Sequence, residues 1–432
     1  MSPPQQQQQE TRIPMRIGYI GLGALGSELA RCFVAGHELA VWDLNDRAAA
    51  PLARAGAHVA PSAAELAKRS DVILLCLPRS ADVRELIFGH RGLVEGLSPG
   101  QLVIDQTSGV PKETAETAAR LAARGVVMMD AAVSASPHVV AQGAATLMAA
   151  APDDVYERAL PVLRAITAKI HRCGTRVGDG QAMKIVNNAM NAACRLGTLE
   201  VVAMGRKAGL SLAAMTATLN AGRGCNQTTE KMLPAIARGE ASTNFALSLM
   251  LKDVNQAAAL GMEQGVPMPI TGIVCSLLQI GVNTIGTQAK LEDMVGLTET
   301  MAATRFMDSS TGAAPDEDAA DTLPTIDAAV AALGQLVTYE CVAAGFRHGL
   351  SLPDMTRILH GTSGWSHASR EVLAQLNADT RVSSEQFGPM AASLATAAEL
   401  GLRLGAPMPI SCAVRGVAES ALHGSAIQSF GD

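Results

Sequence analysis

The sequence predicts an α/β domain with a doubly wound sheet at its N-terminal end, followed by an all-α domain present in two tandem copies. Three observations predict it. Short apolar runs alternate with helical patterns up to about residue 180, as strands and crossover helices do. From Gln181 onward apolar residues recur only at helical spacing, which excludes further strands. The helical part then occurs twice, at a constant offset of 140 residues. The expected boundaries are a disordered tail over 1–14, the α/β domain over 15–180 and an all-α domain over 181–303. An acidic linker over 304–324 and the second all-α copy over 325–432 complete the chain.

The stretch from Met15 to Asp43, MRIGYIGLGALGSELARCFVAGHELAVWD, gives the first domain its type. Ile17–Ile20 reads as a buried strand. The loop Gly21, Leu22, Gly23, Ala24, Leu25 and Gly26 follows in G-x-G-x-x-G spacing, a helix comes next, and the strand Leu39–Trp42 ends at Asp43. In this context the glycines serve a tight turn, a close approach to a pyrophosphate and tight helix–strand packing. The helix N-terminus offers N–H groups and a positive dipole end to the same anion. Asp43 is placed to accept hydrogen bonds from a ribose diol and to repel a 2′-phosphate. No arginine follows it directly, Arg47 being the nearest cation. A Rossmann-type domain binding NAD, with NADP as the lesser alternative, is expected.

Strand patterns recur at His58–Ala60, Val72–Leu77, Leu102–Asp105, Val126–Met129 and Lys169–Arg172. Val72–Leu77 is apolar throughout, as for a central parallel strand covered on both faces. Ser62 with Glu65 forms a capping box for a helix through Lys68. Ligands belong at the carboxyl ends of such strands, which singles out Leu77–Pro78, Gln106–Thr107–Ser108 and Asp130 to Ser136. Thr107 and Ser108 fit a helix cap before Pro111 equally well.

Composition excludes several classes. The 432 residues carry a net charge of -6 without a basic stripe, which argues against nucleic acid. No apolar run reaches the roughly 18 residues of a membrane span. The tail SPPQQQQQET has no apolar signal core. Eight cysteines are scattered with no C-x-x-C pair, which suits reduced thiols in a cytoplasm and leaves no metal site.

Within the repeat, GLSLAAMTATLNAGRG (209–224) pairs with GLSLPDMTRILHGTSG (349–364), LGMEQGVPMPI (260–270) with LGLRLGAPMPI (400–410), and Glu200 with Glu340. The copies differ where chemistry resides. Lys184 becomes Pro324, Asn188 becomes Ala328, Lys252 becomes Ala392 and Asp253 becomes Ser393. The second copy is therefore expected to be structural, covering surface that the first exposes.

Hydride transfer between a nicotinamide and a carbinol carbon needs a proton carrier, donors for the oxygen and, for an acid, a carboxylate clamp. Lys184 is the best proton carrier, at a helix start after a turn rich in glycine (Gly174, Gly178, Gly180). Burial and a nearby Lys252 would favour its neutral form. Asn188, one turn on, shares its helix face. Lys252–Asp253 is the only charged pair in an otherwise apolar helix, and snorkelling is its plain explanation. His138 and His171 have no evident carboxylate partner.

Over about residues 15–301 these motifs resemble the β-hydroxyacid dehydrogenases, the family of 3-hydroxyisobutyrate dehydrogenase and tartronate semialdehyde reductase. GYIGLGALGSELA is similar to the family's cofactor motif, DAAVSASPHVVAQGAATLM (130–148) to its substrate motif, GDGQAMKIVNN to its catalytic motif and FALSLMLKDV (245–254) to its lysine–aspartate segment. The resemblance implies that Lys184 is the general acid/base and Asn188 its partner on the substrate. Ser134 would help hold the substrate carboxylate, Thr107 would lie near the nicotinamide, Leu77–Pro78 on the adenosine side, and Lys252 would border both ligands. The usual Ser-Gly-Gly is here Ser134-Ala135-Ser136, which alters the carboxylate clamp. The second all-α copy resembles the duplicated helical domain of 6-phosphogluconate dehydrogenase.

The expected activity is NAD(P)-dependent, reversible hydride transfer on a small β-hydroxy acid. Alternatives are an imine reductase or decarboxylating dehydrogenase of the same superfamily, or a cofactor-binding module without catalysis. Lys184 argues against an imine reductase, and retained Lys184, Asn188 and Lys252 weigh against a module without catalysis. Short members assemble through their helical domains, so the chain is expected to be either a homodimer or a monomer with the second copy as internal partner.

Overall fold

A computed structural model of the chain describes residues 15–307, 322–378 and 382–423. The expected tail, and residues 308–321 of the expected linker, lie outside the described residues. The chain forms two compact units, Met1–Gln181 and Ala182–Asp432.

The first unit is built on an eight-stranded sheet of order β3-β2-β1-β4-β5-β6-β7-β8. Its strands are β1 (Arg16–Ile20), β2 (Glu38–Trp42), β3 (His58–Val59), β4 (Val72–Leu75), β5 (Leu102–Asp105), β6 (Val127–Ser134), β7 (Thr146–Ala150) and β8 (Lys169–Gly174). Between them run α1 (Ala24–Arg31), α2 (Asp46–Arg54), α3 (Ala63–Lys68), α4 (Ser80–Phe88), α5 (Pro111–Ala122), α6 (Pro137–Ala141) and α7 (Asp153–Ile166). Pairing is parallel from β3 through to β6. The period of two divides the central strands between two cores. Ile17, Tyr19, Leu74, Leu102 and Ile104 enter one, while Ile20, Ile73, Leu75 and Val103 enter the other. Both faces are buried, so the runs are apolar without alternation. Ser62 caps α3 as its sequence predicts, accepting from the Glu65 N–H at 3.1 Å, and Pro111 opens α5.

The sheet departs from the sequence reading at β6. That strand does not stop at Met129 but continues to Ser134, because β7 pairs antiparallel with it from Asp130↔Ala150 to Ser134↔Thr146. The Thr146–Ala150 run is short and rich in alanine, a pattern that periodicity does not separate from a loop or helix.

The second unit is helical. It is carried by α8 (Asp179–Lys207, whose first turn belongs to the first unit), α9 (Leu212–Ala221), α10 (Leu233–Arg238), α11 (Leu247–Glu263), α12 (Pro269–Ile285) and α13 (Met294–Ala302). Then come α14 (Thr322–His348), α15 (Leu352–Leu359), α16 (His367–Asn377), α17 (Phe387–Leu404) and α18 (Pro409–His423). Helix α14 begins inside the expected linker. It is also long and apolar enough to cross a membrane by composition, but 78% of its apolar window is buried among its neighbours.

Contacts between the two halves of this unit are reciprocal. Glu200 of α8 accepts from the Ile410 N–H at 2.9 Å and the Ser411 N–H at 3.1 Å, at the start of α18. Glu340 of α14 accepts from the Ile270 N–H at 3.0 Å and the Thr271 N–H at 2.7 Å, at the start of α12. An isolated antiparallel bridge joins Asn226 to Ser366, the residue 140 positions on. Around it the Gln227 N–H donates to Trp365 O and the His367 N–H to Cys225 O, which are the same bond with the halves exchanged.

Burial pushes the Glu200 carboxyl up to about 8, against hydrogen bonds that favour its charge, and raises Glu340 for the same reason. Both folded values lie above the ordinary 4.5. Their contribution to stability is therefore full below about pH 4.5 and declines above it, for Glu200 as pH rises toward 8. The melting temperature is expected to fall over that window. A Glu200→Gln variant should show a flatter dependence, measured by calorimetry, and an unchanged slope would refute the assignment.

Candidate functional site

In the first unit, the chain turns back at the β1/β4 junction, where strand order reverses and crevices form. Gly21 leaves β1 with φ +93, and a Cβ there would lie 2.2 Å from the Cys76 carbonyl oxygen. A Cβ on Gly26 would lie 1.9 Å from the Gly21 carbonyl oxygen. These two glycines are required by the protein's own packing. Gly23 is different, because a Cβ there meets nothing within 4 Å. It is the N-cap of α1 and brings no side chain to its first-turn N–H groups. Gly23 and Ala24 are exposed, Leu22 and Gly26 buried, and Leu25 half-buried. An open helix N-terminus with a glycine facing free space fits a pyrophosphate.

Asp43 ends β2 as expected. Its Oδ2 accepts from the Leu22 N–H at 2.6 Å and its Oδ1 from the Asn45 N–H at 2.7 Å. The carboxylate thus shapes the glycine loop and keeps lone pairs for a diol. Arg47 is exposed, and its N–H is taken by the Asn45 cap of α2. Beyond β4, the Leu77 N–H donates to Thr107 Oγ1 at 3.1 Å, so Thr107 joins the β4 and β5 loops. It is buried, and its own N–H donates to Asp105 Oδ1 at 2.9 Å.

Ser134 is the last residue of β6, and Ser136 is the N-cap of the short α6, without a side-chain cap bond. Ser134, Ala135 and Ser136 are all half-buried. His138 is exposed and pairs with Gln142 at 2.9 Å. Asp130 accepts from the Gly178 N–H at 2.7 Å and the Gln181 N–H at 2.8 Å, and burial pushes it up to about 8. This carboxyl anchors the turn before α8. The glycines of that turn answer to protein neighbours: a Cβ on Gly180 would lie 2.3 Å from the Met148 carbonyl oxygen.

In the second unit, Lys184 and Asn188 lie on one face of α8, and both are buried. They meet at Asp253 of α11. Asn188 Nδ2 donates to Asp253 Oδ2 at 2.8 Å, and Lys184 Nζ lies 3.8 Å from the same oxygen. Lys252 Nζ lies 3.4 Å from Asp253 Oδ1. Both lysine Nζ atoms therefore lie beside one carboxylate whose side chain is 2% exposed. Lys252 keeps 25% of its side chain exposed.

Sequence reasoning singled out the two lysines and the asparagine but gave Asp253 no role. The available signal was a carboxylate inside an apolar helix, which is seldom buried without a partner. Asn187 was also passed over, although it is fully buried and donates from Nδ2 to Asn188 Oδ1 at 3.1 Å.

Two family models match the chain. That of the NAD binding domain of 6-phosphogluconate dehydrogenase covers residues 16–175. That of the NAD-binding domain of NADP-dependent 3-hydroxyisobutyrate dehydrogenase covers 178–298. The chain is 31% identical over 270 residues to 2-(hydroxymethyl)glutarate dehydrogenase of Eubacterium barkeri, spanning 62% of this chain and 89% of that protein. It is 29% identical over 272 residues to L-threonate dehydrogenase of Escherichia coli, with the same coverage. The fold of Plasmodium falciparum 6-phosphogluconate dehydrogenase matches 96% of this chain and 94% of that one, with a TM-score of 0.72 at 14% identity. With its glycine loop and its lysine–asparagine helix, the chain belongs to the β-hydroxyacid dehydrogenases, a family of NAD(P)-dependent oxidoreductases acting on hydroxy acids.

Proposed function

We propose that the chain interconverts a small β-hydroxy acid and its carbonyl form, with Lys184 as general acid/base. The observation that carries this is the buried cluster of Lys184, Asn188 and Lys252 around Asp253. The nicotinamide supplies the hydride acceptor. When the carbinol carbon loses its hydride, the hydroxyl proton passes to Lys184 Nζ. Asn188 keeps a second N–H to hold the carbinol oxygen as its bond order rises. Lys184 takes that proton as the neutral amine, and Asp253 orients both groups. Ser134, Ala135 and Ser136 keep the substrate-side role that the resemblance implies. The free cysteines suit a reducing cytoplasm.

The test is steady-state oxidation of a panel of 3-hydroxy acids that includes 3-hydroxyisobutyrate, L-threonate and 2-(hydroxymethyl)glutarate. Lys184→Ala is expected to lower kcat by about a thousandfold, roughly 4 kcal/mol of barrier, with NADH affinity retained. A variant as fast as wild type would overturn the role.

We assign NAD as the preferred cofactor on the Asp43 charge. In Asp43→Asn the repulsion of a 2′-phosphate is lifted while an acceptor oxygen stays. The ratio of NADPH to NADH dissociation constants should fall by about tenfold or more. A ratio equal to that of wild type would speak for NADP.

We further propose that residues 325–420 are a duplicated copy acting as a built-in partner for the first helical half. The reciprocal glutamate caps and the Asn226↔Ser366 bridge support it. Residues 1–305 expressed alone should aggregate or self-associate, because the N-terminus of α12 would lose the Glu340 cap. A soluble, monomeric and fully active fragment would count against the proposal.

A further inference from the structure

We infer that the second helical half takes part in catalysis through Asn187, a positioning residue that fixes the amide of Asn188; this rests on the proposed role of the Lys184–Asn188 pair. An asparagine amide can point either way, and its neighbours decide which end faces which. Here both ends of a chain of bonds have fixed polarity. At one end the Gly364 N–H, which can only donate, bonds to Asn187 Oδ1 at 2.7 Å. Thr362 Oγ1 lies 2.7 Å from the same oxygen. Asn187 Nδ2 therefore faces the other way, toward Asn188 Oδ1 at 3.1 Å and Ser363 Oγ at 2.9 Å. At the far end the Asp253 carboxylate can only accept, and it takes the Asn188 Nδ2 at 2.8 Å. The orientation of Asn188 is thus set from both sides, by a backbone N–H of the second half and by a carboxylate of the first.

The reciprocal contact supplies an independent observation. Asp327, which is Asn187 advanced by 140 positions, accepts from the Arg223 N–H at 3.1 Å and the Gly224 N–H at 2.8 Å. The same loop is capped in the same way, but by a carboxylate. A carboxylate caps as well as an amide and has no proton to hand on. Its neighbour is Ala328, where Asn187 has Asn188. The amide stands in the half where a donor toward the next residue has a use. In the other half, which lacks the lysine and the asparagine, an acid fills the place.

Asn187→Asp separates the cap from the relay, since Asp327 shows that an aspartate fits the cap. The variant is expected to melt close to wild type while kcat on the fastest acid of the panel falls by at least about tenfold. Its oxidation rate should also require higher pH, because the new carboxylate favours the protonated lysine. Asn187→Ala, the second variant should the first not fold, is expected to lose kcat to a similar degree. Asp327→Asn should leave kcat unchanged. Wild-type kcat and pH profile in Asn187→Asp would overturn the inference, as would an equal loss in Asp327→Asn. Lys184→Ala is run alongside. If it is inactive while Asn187→Asp is unaffected, only the relay falls. If it turns over at the wild-type rate, the base assignment falls and the relay with it.

Discussion

A carboxylate buried at the first turn of a helix is tolerable only while that helix stays docked, because its hydrogen bonds replace the water it has lost. The helical unit relies on this contact twice, through Glu200 on α18 and Glu340 on α12. Undocking either helix would strand a carboxyl in an apolar interior and also leave helix N–H groups bare. The halves are therefore locked by mutual dependence as well as by buried apolar area. Burial of Leu333, Ile326 and Leu336 on α14 and of Leu196, Leu199 and Val201 on α8 supplies the bulk attraction. The glutamates set the register, since a slip by one residue would misplace both.

That lock lets the polar cluster exist in one half only. Two lysines and an aspartate under the surface carry a desolvation cost that a free-standing helix pair would meet by opening to water. Between α8 and α11, Asp253 holds Asn188 at 2.8 Å and lies 3.8 Å from Lys184. At the positions 140 residues on, the second half carries Pro324, Ala328, Ala392 and Ser393, with Glu340 and Gly364 at the places of Glu200 and Gly224.

The fold was legible because its strongest signals are local. Val72–Leu75 is apolar at each position and is buried on both faces, and the long helix from Asp179 has no breaker. Two kinds of feature were not. Strand β7 exists because β6 and β8 flank it, a long-range fact that a run such as Thr146–Ala150 does not encode. Asp253 gains meaning only from a side chain 65 positions away, and Asn187 from a backbone N–H 177 positions away. Sequence spacing shows which residues share a helix face; it does not show which neighbour a buried amide or carboxylate will find.

The glycine triad was legible residue by residue. By pattern Gly21 serves the tight turn, Gly23 the close approach to a pyrophosphate and Gly26 the helix–strand packing. In the fold, Gly21 and Gly26 are demanded by carbonyl oxygens of the chain itself, and would be demanded with no ligand at all. Gly23 alone is unexplained by any protein neighbour. A missing side chain that faces open space, at a helix N-terminus without a side-chain cap, leaves the room that the proposed pyrophosphate contact at Gly23 requires.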